Sequence, residues 1–162
     1  ALVPLLSSKP TDGRAELRRR GQRLFHTVMP LSALLLLTAT WWFPWVFNAE
    51  LADAAGLFQI YLLVTASRVL LPNAVLLGLG DSRSIFWVGV GELVLKVLTG
   101  WLFIQWWGLP GVAWSVVLSF WFEKVALILV LEFKHRVPTP EWLHVRWYVF
   151  YTLLLLLAFA LA

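Results

Sequence analysis

Long apolar runs separated by short polar connections dominate the chain. Each of the first four runs is long enough for a transmembrane helix, which needs roughly 20 apolar residues, and a fifth is cut short by the end of the sequence. The connections suit antiparallel helical hairpins, and the runs lack the alternating polarity of barrel strands. The pattern predicts an all-α fold, a polytopic transmembrane helical bundle. Its spans are about 24–47, 55–79, 84–107, 110–132 and 147–162.

Composition supports this interpretation. Of the 162 residues, 60% are hydrophobic and 14% charged, whereas soluble domains have about 45–50% apolar and about 25% charged residues. The net charge of +4 comes from basic residues in the connections, so membrane topology explains it and no nucleic-acid partner is predicted. The chain has no cysteine, and its three histidines lack ligand spacing. No metal site and no cofactor are predicted.

The basic residues outside the spans predict the orientation. If successive connections alternate sides, ten lysines and arginines fall on one side and none on the other, which carries Glu50 and Asp53. The positive-inside rule places the basic side in the cytoplasm. The run 14–23 is interpreted as a flank of this kind rather than as a surface helix or a lipid-headgroup contact. The ten residues are Lys9, Arg14, Arg18, Arg19, Arg20, Arg23, Arg83, Lys134, Arg136 and Arg146.

The tryptophans fit the same topology, because aromatic residues collect at membrane interfaces. Trp121 alone is expected to lie deep. Trp87, Trp142 and Trp147 are expected at the inner ends of the spans. Those expected at the outer ends are Trp41, Trp42, Trp45, Trp101, Trp106, Trp107 and Trp114.

Five ionisable residues lie inside the predicted spans: Arg68, Glu92, Lys96, Glu123 and Lys124. Burying a charge in hydrocarbon costs roughly 3 to more than 10 kcal/mol, so such groups normally face a bundle interior or a cavity and find a partner. Counting from the span midpoints places all five near one level of the membrane, on three consecutive helices.

Spacing suggests how these charges are arranged. Glu92 and Lys96 are four residues apart and can pair on one helix face. Lys124 is a weaker partner for its neighbour Glu123, since adjacent residues point about 100° apart around a helix.

Arg68 has a different setting. It has no acidic residue within four positions, and Pro72, four residues later, weakens its turn beside Asn73. Two interpretations stay open: the charges lock the helices together, or they line a hydrophilic path for a charged substrate. In the second interpretation, a path for a charged substrate, the substrate-binding residues are Arg68, Lys96, Glu92 and Glu123.

No motif indicates catalysis: phosphate-binding loops, nucleophile elbows and metal-ligand clusters are missing from the sequence. Ionisable groups within spans are typical of transport pathways. The sequence therefore predicts a transporter and not an enzyme.

Several short segments resemble the polysaccharide flippases, which belong to the superfamily of multidrug, oligosaccharidyl-lipid and polysaccharide exporters. The resemblance rests on VPLLSS at 3–8, the basic connection DGRAELRRRGQR at 12–23, LLGLGDSRS at 76–84 and GLPGVAWS at 108–115. FEK at 122–124 and PEW at 140–142 are closest to the Bacteroidetes type. Many such relatives have Asn where this chain has Lys96.

The resemblance implies a two-bundle transporter that flips a lipid-linked oligosaccharide across a bacterial inner membrane for surface polysaccharide biosynthesis. This chain would be its C-terminal half and would need the missing N-terminal half as a partner, which fits a sequence that starts without Met. Arg68 would attract the substrate's pyrophosphate. The alternatives are half of a multidrug or ion exporter of the same superfamily and a non-transporting membrane subunit of glycan assembly.

Overall fold

The computed structural model describes residues 10–47 and 54–162. These residues form helices joined by short turns, with no strand among them. The all-α prediction is confirmed for this part of the chain. The VPLLSS segment, Lys9, Glu50 and Asp53 lie outside the described residues.

Helix α1 runs without interruption from Pro10 to Phe47. At about 1.5 Å per residue its 38 residues span about 57 Å, far more than the roughly 30 Å of a bilayer core. The basic flank and the first predicted span are therefore one helix. Its inward face repeats every three or four residues, as a helical face must. The buried apolar residues of this face include Leu17, Phe25, Met29, Ala33, Leu36 and Phe43.

The second predicted span is helical but interrupted. It consists of α2 (Ala54–Leu62), α3 (Val64–Arg68) and α4 (Pro72–Gly78). The second break follows from Pro72, which has no N–H to donate to the Arg68 carbonyl and which starts the next helix at its first turn. The prediction of a weakened turn beside Arg68 is confirmed.

Helices α5 (Ser82–Trp107) and α6 (Leu109–Leu129) form a tight hairpin. Gly108 joins them with φ +62°, a conformation that glycine adopts without strain. At Gly111 a Cβ atom would lie 2.2 Å from the backbone oxygen of Phe103. Glycine thus allows the start of α6 to touch the end of α5.

After α6 the chain makes a π-helical turn (Val130–Lys134) and a short 3₁₀ turn (Thr139–Glu141), and it ends with α7 (Val145–Leu161). Helix α7 packs along α1, and α6 contacts α2, α3, α4 and α5. Tyr148 of α7 is buried and donates its hydroxyl to the carbonyl of Ala66 in α3, at 3.1 Å. The core therefore lies between α1, α7 and the interrupted segment, with α6 against it.

Within residues 10–47 and 54–162, three helical segments are long and apolar enough to cross a membrane: 12–47, 54–78 and 82–107. Helix α7 is a shorter apolar helix. No residue of α5 is fully buried by the described chain, and many of its apolar side chains are exposed. Such exposure is typical of a surface that meets lipid or another protein.

Most of the tryptophans assigned to the interfaces are exposed, with Trp41 and Trp45 at 85% and 89%. Trp142 is an exception. Only 2% of it is exposed, so its ring packs within the chain instead of facing outward. The turn that carries it folds back against the helices, where the ring joins the core.

Candidate functional site

Two cationic side chains from separate helices meet at one aromatic ring. The guanidinium carbon of Arg68 lies 4.0 Å from the centroid of Phe120, and the Lys96 ammonium lies 4.5 Å from it. Both distances are within the range of cation–π attraction. Since both charges touch the same ring, they are at most about 8.5 Å apart, the sum of the two distances. Phe120 of α6 thus joins α3 to α5.

The local fold explains why Arg68 is available. It is the last residue of α3, just before the break that Pro72 causes, and the Tyr148–Ala66 hydrogen bond anchors the same helix. Its side chain is exposed and, within residues 10–47 and 54–162, no carboxylate lies within 4.0 Å of it. A cavity of about 350 Å³ between α1 and the interrupted segment has Arg68, Tyr61 and Thr65 among its lining residues.

Lys96 is neutralised on its own helix. Its Nζ atom lies 2.5 Å from Oε1 of Glu92, and the two side chains are 31% and 16% exposed. The predicted pair on one face of α5 is confirmed. Because Glu92 compensates Lys96, the charge at Phe120 that no carboxylate of the described residues compensates is that of Arg68.

Glu123 belongs to a second group, one turn along α6 from Phe120. Its Oε1 atom accepts hydrogen bonds from Asn73 and from Lys124, each at 3.1 Å. Lys124 reaches around the helix to its neighbour with its long side chain, at a longer distance than that of the Lys96–Glu92 pair. Lys124 is 5% exposed, so the contact is well shielded from solvent.

The two groups share α6, where Phe120 and Glu123 are three residues apart and therefore on one face. The structure brings Arg68, Lys96 and Glu92 together around Phe120, and these residues form the first group. Asn73, Glu123 and Lys124 form the second group. The side-chain Oδ1 of Asn73 is buried and has no hydrogen-bond partner among the described residues. The carboxylate of the second group is paired, while the first group presents a cation.

Sequence reasoning did not single out Phe120. The chain has 11 Phe and 11 Trp residues, and nothing in the spacing distinguishes this one except its place three residues before Glu123. Asn73 was noted as a polar neighbour of Arg68, but its bond to Glu123 joins residues 50 positions apart. Such a long-range contact depends on how the helices pack.

Among the described residues, no cluster of three or more His, Asp or Glu side chains could hold a metal ion. Comparison of the chain with protein-family models, curated proteins and solved structures finds no match. The resemblance to flippases therefore rests on the segments quoted from the sequence.

Proposed function

We propose that this chain is part of a polytopic transporter in a bacterial inner membrane that exports or flips a lipid-linked oligosaccharide for surface polysaccharide biosynthesis. The observation that carries the proposal is the uncompensated Arg68 at Phe120, on a broken helix inside a predicted span. A charge in hydrocarbon is costly and is typically found where a substrate or ion path needs it.

The chemistry of Arg68 suits an anionic substrate. A guanidinium offers a planar set of donors that can hold a phosphate oxygen pair in two places. Lys96 would add positive potential from less than about 8.5 Å away, although Glu92 compensates most of it. The pyrophosphate of a lipid-linked sugar is a ligand of this class. In this proposal the N-terminal half of the transporter supplies the opposite wall of the path.

A multidrug or ion exporter would need an available carboxylate to receive a cation. Both carboxylates of the site, Glu92 and Glu123, are already paired with lysines. The arrangement therefore favours an anionic substrate over a cationic one.

Substitution of Arg68 tests the proposal in cells that export the polysaccharide. Arg68→Lys keeps the charge but loses the planar fork, whereas Arg68→Gln loses both. We expect export to fall from wild type to Lys to Gln, by about tenfold or more for Gln, since a hydrogen bond to a charged group contributes about 1.5–3 kcal/mol. Surface polysaccharide and membrane protein level are measured together.

Arg83→Gln is the matched control, because Arg83 is exposed in the first turn of α5. Its export should equal that of the wild type. If Arg68→Gln exports normally, Arg68 is not a substrate ligand. If Arg68→Gln does not accumulate in the membrane, the residue locks helices together and the transport proposal loses its support.

A further inference from the structure

A basic pocket lies at the opposite end of the fold from the Gly108 hairpin. It has a volume of about 460 Å³ and is lined by Arg18, Pro140, Leu143, His144, Val145, Arg146 and Trp147. Helix α1, the turn around Pro140 and the start of α7 form its walls. The described residues that line the pocket include two arginines and no carboxylate, so this lining is positively charged.

Contacts between α1 and the turn hold Arg18 in place. Arg18 Nη2 lies 3.3 Å from His144 Nδ1, and Arg14 Nη1 lies 3.3 Å from Glu141 Oε2, which secures the turn one helical turn away. Burial, the Arg18 charge and His26 lower the pKa of His144, which favours the neutral imidazole, and Nδ1 of that form can accept a hydrogen bond from Arg18. The charge of Arg18 is left without a counter-ion in this contact.

Buried N–H groups at this end lack acceptors. Within the described residues, Nε of Arg18, Nε of Arg14 and Nε1 of Trp142 are buried and have no hydrogen-bond partner. A buried donor without an acceptor costs about 1–3 kcal/mol. The Arg18 Nε is shielded by the chain, so an anion in the pocket would contact the Arg18 guanidinium through its terminal Nη groups.

The position of the pocket along the helices, close to where their apolar stretches begin, suggests which kind of molecule supplies the anion. Apolar stretches of α1 and α7 begin within two turns of Arg18 and Arg146. Trp147 is 43% exposed beside the pocket, as aromatic residues are at the headgroup level of a membrane. Basic pockets between helices at this level are known to suit anionic lipid headgroups.

We propose that Arg18 and Arg146 form a binding site for a phosphate group, supplied by the phosphodiester of an anionic phospholipid headgroup. The site is separate from Arg68 and does not depend on the transport proposal. It revises the view of the 14–23 run as a plain positive-inside flank: one face of that run turns inward and builds a pocket.

The test measures lipid retained by the full chain after extraction from vesicles of equimolar phosphatidylglycerol and phosphatidylcholine, by native mass spectrometry. The wild type should retain phosphatidylglycerol selectively. Arg18→Gln and Arg146→Gln should each reduce retention about tenfold, the factor expected for the loss of one hydrogen bond to a charged group. Arg19→Gln and Arg23→Gln are matched controls, since both side chains are exposed on the same helix, and they should change retention little.

Titration with inorganic phosphate distinguishes the two sources. If the wild type binds millimolar phosphate, loses it in Arg146→Gln and shows no preference between the lipids, the site is supported with free phosphate as its ligand. Equal losses in the control variants, or neither lipid selectivity nor phosphate binding, would overturn the proposal. Arg146 is exposed and lies outside the Arg18–His144 contact, so its variant keeps the test valid if Arg18→Gln does not fold.

Discussion

Lys96 and Glu92 form an ion pair on one face of α5, with 2.5 Å between Nζ and Oε1. The same ammonium lies over Phe120 of the neighbouring helix. Lys96 therefore contributes both to the charge balance of α5 and to its contact with α6. A substitution of Lys96 removes both the ion pair with Glu92 and the cation–π contact with Phe120. Changing Glu92 as well separates the contributions of these two interactions.

We expect Lys96→Met to lower the free energy of unfolding by about 1–3 kcal/mol, because it leaves a largely buried carboxylate without its partner. Adding Glu92→Gln removes that unpaired charge and should restore most of the loss. Thermal unfolding in detergent, followed by circular dichroism, measures both variants. A double variant as unstable as Lys96→Met would show that the cation–π contact with Phe120, and not the ion pair, carries the stabilisation.

Local spacing predicted the features that depend on neighbours in the chain. The Glu92–Lys96 pair follows from a separation of four residues, and the break after Arg68 follows from Pro72. Phe120 could not be found in this way. It is one of many aromatic residues, and its role depends on the packing of α3 and α5 against α6.

Helix α1 shows the same difference between features that local sequence predicts and features that depend on packing. The sequence predicted a span from about residue 24, but the helix that contains this span begins at Pro10 and takes in the basic run. The basic run was interpreted from charge alone. Its inward face depends on Glu141 and His144, more than 120 residues away, and no local pattern reveals such partners.

The basic connections should all face the cytoplasm. Three contacts already join them at one end of the structure: Arg14 with Glu141, Arg18 with His144, and Lys134 with Asp81. A reporter that is active only outside the cytoplasm should work when fused after Glu50 and fail when fused after Arg83 or Arg136. Activity after Arg83 together with silence after Glu50 would reverse the topology.

Gly111 should tolerate no side chain. Its Cβ position is blocked by the backbone of Phe103, so Gly111→Ala must separate α5 from α6 and should cost about 1–3 kcal/mol. Gly89→Ala is the matched control, because a Cβ at this position of α5 meets nothing within 4 Å, and it should leave stability unchanged or slightly raised. The melting temperatures of both variants, measured in the same detergent, test this difference in stability. Similar losses in the two would mean that the hairpin is not closely packed at Gly111.

Asp81 connects the start of α5 with the end of the π-helical turn. Its side chain accepts from the backbone N–H of Ser84 at 3.2 Å, which caps α5. Its Oδ2 atom lies 2.8 Å from Lys134 Nζ and 2.6 Å from His135 Nε2. Hydrogen bonds from Lys134 first, and then from His135, hold the pKa of Asp81 well below its usual range.

A lowered folded-state pKa fixes the direction of the pH dependence. The stabilisation from Asp81 is fully present above its ordinary pKa of 3.8 and is lost as the pH falls below that value toward the lower pKa of the folded state. Asp81→Asn keeps a side chain that can cap the helix but removes the charge, whereas Asp81→Ala loses both. We expect stability at pH 7 to fall from wild type to Asn to Ala, with about 1 kcal/mol between Asn and Ala for the lost cap.

As the pH falls below about 4, the wild type and the Asn variant should converge in melting temperature, because protonation removes the charge that distinguishes them. A constant difference between them down to pH 2 would mean that Asp81 stabilises the turn through its shape and hydrogen bonds, and that the contacts with Lys134 and His135 add nothing through charge.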